Sequence, residues 1–203
     1  MPDDVTAYDP QTALVVVDVQ NDFADPGGSL YVRGGQEIIP AVNDEIAAAR
    51  AGGATVVTTQ DWHPPTTPHF TTDGGTWPVH CVRATWGAEL HPELDVEADL
   101  VVRKGTGGED GYSAFTVLDP DTGDARPTGL AGYLRERGVR RAVVVGLAAD
   151  VCVKATALDA EAIGLDTTVR WDATRAVDVE PGDGDRALAE LRDAGVRIVG
   201  AEP

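Results

Sequence analysis

Lysine is almost missing from this chain. It has 2 Lys against 14 Arg, and the 16 basic residues face 34 acidic ones, leaving a net charge of −18. A surface of that sign repels phosphate backbones, so nucleic acid is excluded as the expected partner. Cysteine is equally sparse. Two thiols, Cys81 and Cys152, do not build a disulfide scaffold in 203 residues. No apolar run approaches the roughly 18–20 residues needed to cross a bilayer, so no membrane partner is expected. The start, Met1-Pro-Asp-Asp, is acidic and lacks the basic-then-apolar layout of a secretory signal, so the expected location is cytoplasmic. Asp outnumbers Glu by 23 to 11. That fits either a composition that avoids Lys or a surface hydrated for a salt-rich cytoplasm.

What remains is an ordinary apolar fraction, 42%, in a length that suits a single domain, 1–203, with a sizeable core. Val- and Ala-rich runs alternate with helical patterns, the signature of a parallel sheet covered on both faces. Strands are expected at Ala13–Asp18, Thr55–Thr59, Leu100–Arg103, Ala142–Val145, Thr167–Arg170 and Val196–Val199. Helices are expected near 37–50, 129–137, 150–162 and 184–192. The fold class is therefore α/β, a three-layer α/β/α sandwich on a mainly parallel six-stranded sheet.

Between Gln60 and Ala98 the chain shows no clear periodicity and carries five prolines, yet it holds all four His and three of the four Trp. Loops this long are usually functional or disordered, and this composition argues for function.

Ligands of open parallel sheets bind beyond the carboxyl ends of the strands. Asp18 ends the first strand, Asp61 follows the second, Lys104 follows the third, and Cys152 follows the fourth. A polar residue after a buried run is costly unless it has a partner or a task, and four on one rim suggest a site. Cys152 falls near the expected start of a helix, where free N–H groups favour a thiolate and can stabilise an oxyanion. Asp18 could exchange protons with that thiol, and Lys104 is a cation for both. Asp61, His63, His69 and His80 form a carboxylate-and-imidazole set of the kind that divalent zinc, iron or manganese accepts. His91, near the surface, and Cys81, a small core residue, read as structural.

Taken together, Val17-Asp-Val-Gln-Asn-Asp-Phe23, Asp61-Trp-His-Pro64 with His69-Phe70, Trp77-Pro-Val-His-Cys81, Arg103-Lys-Gly105, Tyr112-Ser-Ala-Phe115 and Gly146-Leu-Ala-Ala-Asp-Val-Cys-Val153 resemble the nicotinamidases and pyrazinamidases of the isochorismatase-like cysteine hydrolase family. Each segment is a weak signal, and their order along residues 14–160 is a strong one. The resemblance implies hydrolysis of nicotinamide to nicotinate and ammonia through a thioester on Cys152, with Asp18 and Lys104 completing a triad. It implies an oxyanion hole from the N–H groups of Ala148 and Cys152, with a cis peptide before Ala148. It also implies one divalent metal, zinc first among the candidates, held by Asp61, His63, His69 and His80. Phe23, Trp77 and Tyr112 are then expected to hold the substrate. Ala149 departs from the pattern, since many relatives carry Thr there. Two alternatives stay open: a sister cysteine amidase acting on a carbamoyl or maleamate amide, and a non-enzymatic metal-binding module. A homo-oligomer is compatible with this size of α/β chain.

Overall fold

The computed structural model describes residues 8–200; Met1-Pro-Asp-Asp and the last three residues of the expected 1–203 domain lie outside that range. Six strands form one sheet: β1 (Thr12–Val17), β2 (Thr55–Asp61), β3 (Leu100–Lys104), β6 (Arg141–Leu147), β7 (Asp166–Arg175) and β8 (Arg197–Val199). Their order is β3-β2-β1-β6-β7-β8, and every neighbouring pair is parallel. The mainly parallel sheet expected from the sequence is thus wholly parallel.

Alternation along β1 explains the layers. Ala13, Val15 and Val17 face a core built with Leu130 and Leu134 of α3 (Leu130–Glu136), Ala157 and Ala160 of α4 (Lys154–Ala162), and Leu188 and Leu191 of α5 (Asp183–Asp193). Leu14 and Val16 face the other core, with Phe23 and Ala24 of α1 (Asn21–Ala24) and Val42, Ile46 and Ala49 of α2 (Ile39–Gly52). A strand buried on both faces has no polar side, which is why its sequence is a continuous apolar run. Among the described residues no helix is long and apolar enough to cross a membrane.

Several boundaries differ from expectation for local reasons. The helix expected from Glu37 begins as a 3-10 turn over Gly35–Ile38 and becomes α-helical at Ile39. Pro40 lacks an N–H and its ring blocks a preceding carbonyl, so the α-pattern can start only just before it. Gly53, at φ 72°, closes that helix by donating to Ala49 and Arg50 carbonyls. β7 runs on to Arg175, five residues beyond the expected end, across an irregularity in its pairing with β6. An antiparallel hairpin, β4 (Thr116–Leu118) with β5 (Ala125–Pro127), was not expected. Its strands have three residues each, too few to show periodicity. Its turn is built by the Asp119 side chain, which accepts from the N–H groups of Asp121 and Thr122.

The chain leaves β1 for β2 on one side and leaves β6 for β7 on the other, so β1 and β6 flank the point where strand order reverses. A crevice opens at the carboxyl ends of such a pair. The two strands approach closely there: a Cβ added at Gly146, φ 109°, would lie 2.1 Å from the Val17 carbonyl oxygen. Asp18 and Ala148, the residues that follow β1 and β6, therefore stand side by side at the crevice floor.

Candidate active site

Lys104 is the hub of the crevice. Its side chain is fully buried, and its ammonium lies 2.7 Å from Asp18 Oδ2, 3.0 Å from Asp61 Oδ1, 3.0 Å from the Tyr112 carbonyl oxygen and 3.5 Å from Cys152 Sγ. An ammonium has three protons. The three oxygens use them, and the sulfur, the most distant of the four, receives mainly the charge. Desolvation alone would drive a buried lysine toward neutrality; Asp18 and Asp61 outweigh it and hold the Lys104 pKa well above its ordinary value.

Asp18 sits at φ 47°, turned out of the strand. Its Oδ1 accepts from the Thr59 hydroxyl at 2.5 Å, and its backbone N–H donates to the same hydroxyl oxygen at 3.1 Å. Burial pushes its carboxyl pKa up, Lys104 opposes this, and Asp61 adds to the rise. For Asp61 burial also acts upward, yet Lys104, His63 and His80 prevail and hold its pKa far below the carboxylate range. Two carboxylates on one ammonium are thus pushed apart, Asp61 fixed as the anion and Asp18 as the one able to carry a proton.

Cys152 differs from expectation. It lies in a π-helical turn, Ala149–Val153, that precedes α4, with Ala148 extended before it. Burial pushes its thiol pKa well above the ordinary value, Lys104 opposes, and the charges of Asp18 and Asp61 add to the rise. The expected helix-terminal lowering does not dominate, because the sulfur is desolvated and faces two carboxylates. Its Sγ lies within 4.8 Å of a carboxylate oxygen of both Asp18 and Asp61. The peptide between Leu147 and Ala148 is cis, where the resemblance placed it.

The loop from 62 to 99 is ordered by buried polar ties rather than by strands. Gln20 donates to the Asp61 and Ala88 carbonyls at 2.8 and 2.9 Å and accepts from the Asp61 N–H at 2.8 Å. The Asp22 carboxylate accepts from Ser29 and Cys81 N–H groups. His63, His69 and His80 are brought together, each offering a ring nitrogen within 4.8 Å of the others. Asp61 Oδ2 lies 3.8 Å from Nε2 of both His63 and His80. His69 Nδ1 pairs with Asp110 Oδ1 at 2.9 Å, and His80 Nδ1 with the Pro78 carbonyl at 2.6 Å. Both ring nitrogens of His63 are buried without a partner. Burial pushes the His80 pKa down to about 4, so its lone pair is free at neutral pH. Buried imidazoles converging beside a carboxylate, one lacking a hydrogen-bond partner among the described residues, fit a divalent cation.

Gly105 makes room for this group. Its φ is 71°, and an added Cβ would lie 2.4 Å from His63 Nδ1. Gly105→Ala is expected to displace the His63 ring and weaken metal binding by at least about tenfold. Competition with a chromophoric chelator reads this directly, and an unchanged affinity would remove His63 from the ligand set.

A narrow cavity of about 30 Å³, open to solvent, joins Cys152 to Asp61, His69 and His80. Phe23, Trp77 and Tyr112 all line it. Trp77 Nε1 donates to the Tyr112 hydroxyl at 3.0 Å, and the Phe23 ring centroid lies 5.4 Å from that of His80. The remaining wall is aliphatic, from Leu30, Val32, Val151 and Val177. Lys154 points away and pairs with Glu190 at 3.0 Å. His91, expected near the surface, is 7% exposed; it accepts from the Glu93 N–H and its Nε2 lies 3.8 Å from Asp25. Cys81 is fully buried, as expected.

Sequence reasoning did not single out Gln20, Thr59 or Asp110. Gln20 and Thr59 carried the same signal as Asp18, a polar side chain in or beside an apolar run. Asp110 carried none, since an exposed loop acid is unremarkable in a chain this acidic.

The fold and site define a three-layer α/β protein with a buried carboxylate, ammonium and thiol beside a cation-binding group. Residues 12–203 match the Isochorismatase domain model, and the chain belongs to that family. It is 44% identical to the nicotinamidase/pyrazinamidase of Mycobacterium tuberculosis, over 92% of this chain and 97% of that protein. PnC1 of L. infantum, solved in complex with nicotinate, superposes with a TM-score of 0.86 at 40% identity, covering 96% of this chain and 95% of that one. The pyrazinamidase of Pyrococcus horikoshii, solved in complex with zinc, superposes with a TM-score of 0.82 at 39% identity, covering 95% and 100%.

Proposed function

We propose that this protein hydrolyses nicotinamide to nicotinate and ammonia, with Cys152 as nucleophile. The observation that carries the reading is Cys152 Sγ in the wall of a small aromatic-lined cavity, with Lys104 Nζ 3.5 Å from it and Asp18 on the same ammonium. The names of the relatives supply the substrate, and the cavity suits it in its aromatic walls.

In this reading Asp18 takes the Cys152 proton as the sulfur attacks the carboxamide carbon. The N–H groups of Ala148 and Cys152 receive the charge that develops on the oxygen. Collapse breaks the C–N bond, Asp18 returns the proton to the departing ammonia, and the acyl group remains on sulfur as a thioester. Asp18 then takes a proton from water as that water attacks the thioester carbon, and the thiol re-forms as nicotinate leaves. Lys104 holds the Asp18 carboxylate in place and offsets the negative charge on sulfur. Asp61, His63, His69 and His80 would hold the metal, with zinc favoured by the imidazole-rich donor set. A cation there supplies Lewis-acid and orienting chemistry to a ring nitrogen or a water. Phe23, Trp77 and Tyr112 hold the pyridine ring.

Ammonia release from nicotinamide by the purified protein tests the reading. Release is expected with the metal-loaded protein. Its absence in protein that binds metal and carries an alkylatable Cys152 would move the substrate to another small amide.

A further inference from the structure

Asp110 belongs to neither the proton-transfer group nor the proposed ligand set, yet it is held more firmly than a loop acid needs to be. Its backbone makes a two-way bridge with Leu118, the last residue of β4: Asp110 N–H donates to the Leu118 carbonyl at 3.0 Å, and Leu118 N–H donates to the Asp110 carbonyl at 2.6 Å. Its Oδ1 accepts from the Gly111 N–H at 2.7 Å and faces His69 Nδ1 at 2.9 Å. Gly111, at φ 120°, holds a backbone conformation that strains any side chain, and an added Cβ would lie 3.0 Å from Val117 Cα. The loop from Lys104 to Tyr112 is therefore clamped to the hairpin at the residue that reaches His69.

That contact decides which nitrogen of His69 is free. A carboxylate accepts only, so His69 Nδ1 must carry the proton, and Nε2 keeps its lone pair. Nε2 is the nitrogen left to join the ring nitrogens of His63 and His80. The three imidazoles are secured unequally: His69 by a carboxylate, His80 by a carbonyl, and His63 by no hydrogen bond among the described residues. A hydrogen bond from the far nitrogen of a ligating imidazole fixes its tautomer and ring orientation, and losing it commonly weakens metal binding by about 10–100-fold.

We infer that Asp110 is the positioning residue of His69: through Nδ1 it presents Nε2 to the metal, and the β4–β5 hairpin exists in this fold to hold Asp110 in place. The inference rests on the metal reading above and not on the identity of the substrate. Half of the Asp110 side chain is exposed, so its replacement leaves no cavity in either core and the variants fold.

The test measures zinc affinity by chelator competition in the wild type, Asp110→Ala and Asp110→Asn, alongside ¹⁵N NMR of the imidazoles in metal-free protein. Asp110→Ala is expected to bind zinc about 10–100-fold more weakly. His69 should also lose its single Nδ1–H tautomer in that variant. Asp110→Asn keeps an acceptor oxygen, so it should hold the tautomer and bind within a few-fold of wild type. Unchanged affinity in Asp110→Ala would overturn the role, and so would equal weakening in both variants, which would assign the effect to charge alone. Wild-type protein that binds no zinc would instead remove the metal reading beneath the inference.

Discussion

Cys152→Ala is expected to reduce ammonia release by at least about 10,000-fold while leaving the protein folded and metal-loaded, because no other group in the cavity can form the thioester. The variant separates chemistry from architecture well. Lys104 keeps three oxygen acceptors, at 2.7 to 3.0 Å, for its three protons when the sulfur is gone, so no buried donor is orphaned. The stability loss is expected to stay within about 1–2 kcal/mol. Mass spectrometry supplies the positive control: wild-type protein quenched during turnover should carry the mass of one acyl group, and the variant none. Full activity in Cys152→Ala would overturn the mechanism.

Lys104→Met is expected to lose both activity and stability. The substitution keeps the unbranched stem, one atom shorter, and removes the cation that lies among two buried carboxylates and a buried thiol. Removing one partner of a buried ion pair costs about 3–5 kcal/mol, since the other charge stays buried and unpaired. Asp18, whose carboxyl burial already pushes upward, takes up a proton in response and holds the loss toward the lower end. For a domain of this size the loss corresponds to a fall in Tm of about 6–20 °C. Thermal unfolding of the metal-free variant and wild type reads it without interference from the metal. A Tm within 2 °C of wild type, at about 1 kcal/mol or less, would show that the ammonium is not what reconciles Asp18 with Asp61. Lys104→Arg tests shape against charge. It restores the cation, but its planar fork cannot reproduce contacts to two carboxylates, a carbonyl and a thiol, so activity should remain low.

Much of this molecule is visible in its residue order, for a plain reason. β1 is a run of six buried residues, Thr12–Val17, and a strand packed on both faces must be apolar at every position, so the strand and its central place can be read directly. A polar residue at the end of such a run is noticeable, which is how Asp18, Asp61 and Lys104 come to attention. Each does lie at a strand's carboxyl end. Scarcity did the same for Cys152 and for three of the four histidines. The cis peptide at Leu147–Ala148, by contrast, was reached only through resemblance, because nothing in the local composition calls for it.

Other features had no local signal. The β4–β5 hairpin is too short for periodicity and is held by its turn and by Asp110. The thiol's raised pKa follows first from burial and then from two carboxylates that arrive from β1 and β2, 134 and 91 positions away along the chain. The pairing of Asp110 with His69 joins residues 41 positions apart, from two loops that share no pattern.

What the sequence by itself determined is the set of strands, the layering and the chemical identity of the groups at the rim, since burial and scarcity leave marks on each residue separately. What only the tertiary structure decided is their protonation and division of labour: which carboxylate stays charged, which can carry a proton, and which imidazole is steadied from behind. Those properties come from distances of 2.7 to 3.8 Å between side chains far apart in the chain, and electrostatic energies at such range depend on where the charges meet, not on the order in which they were strung.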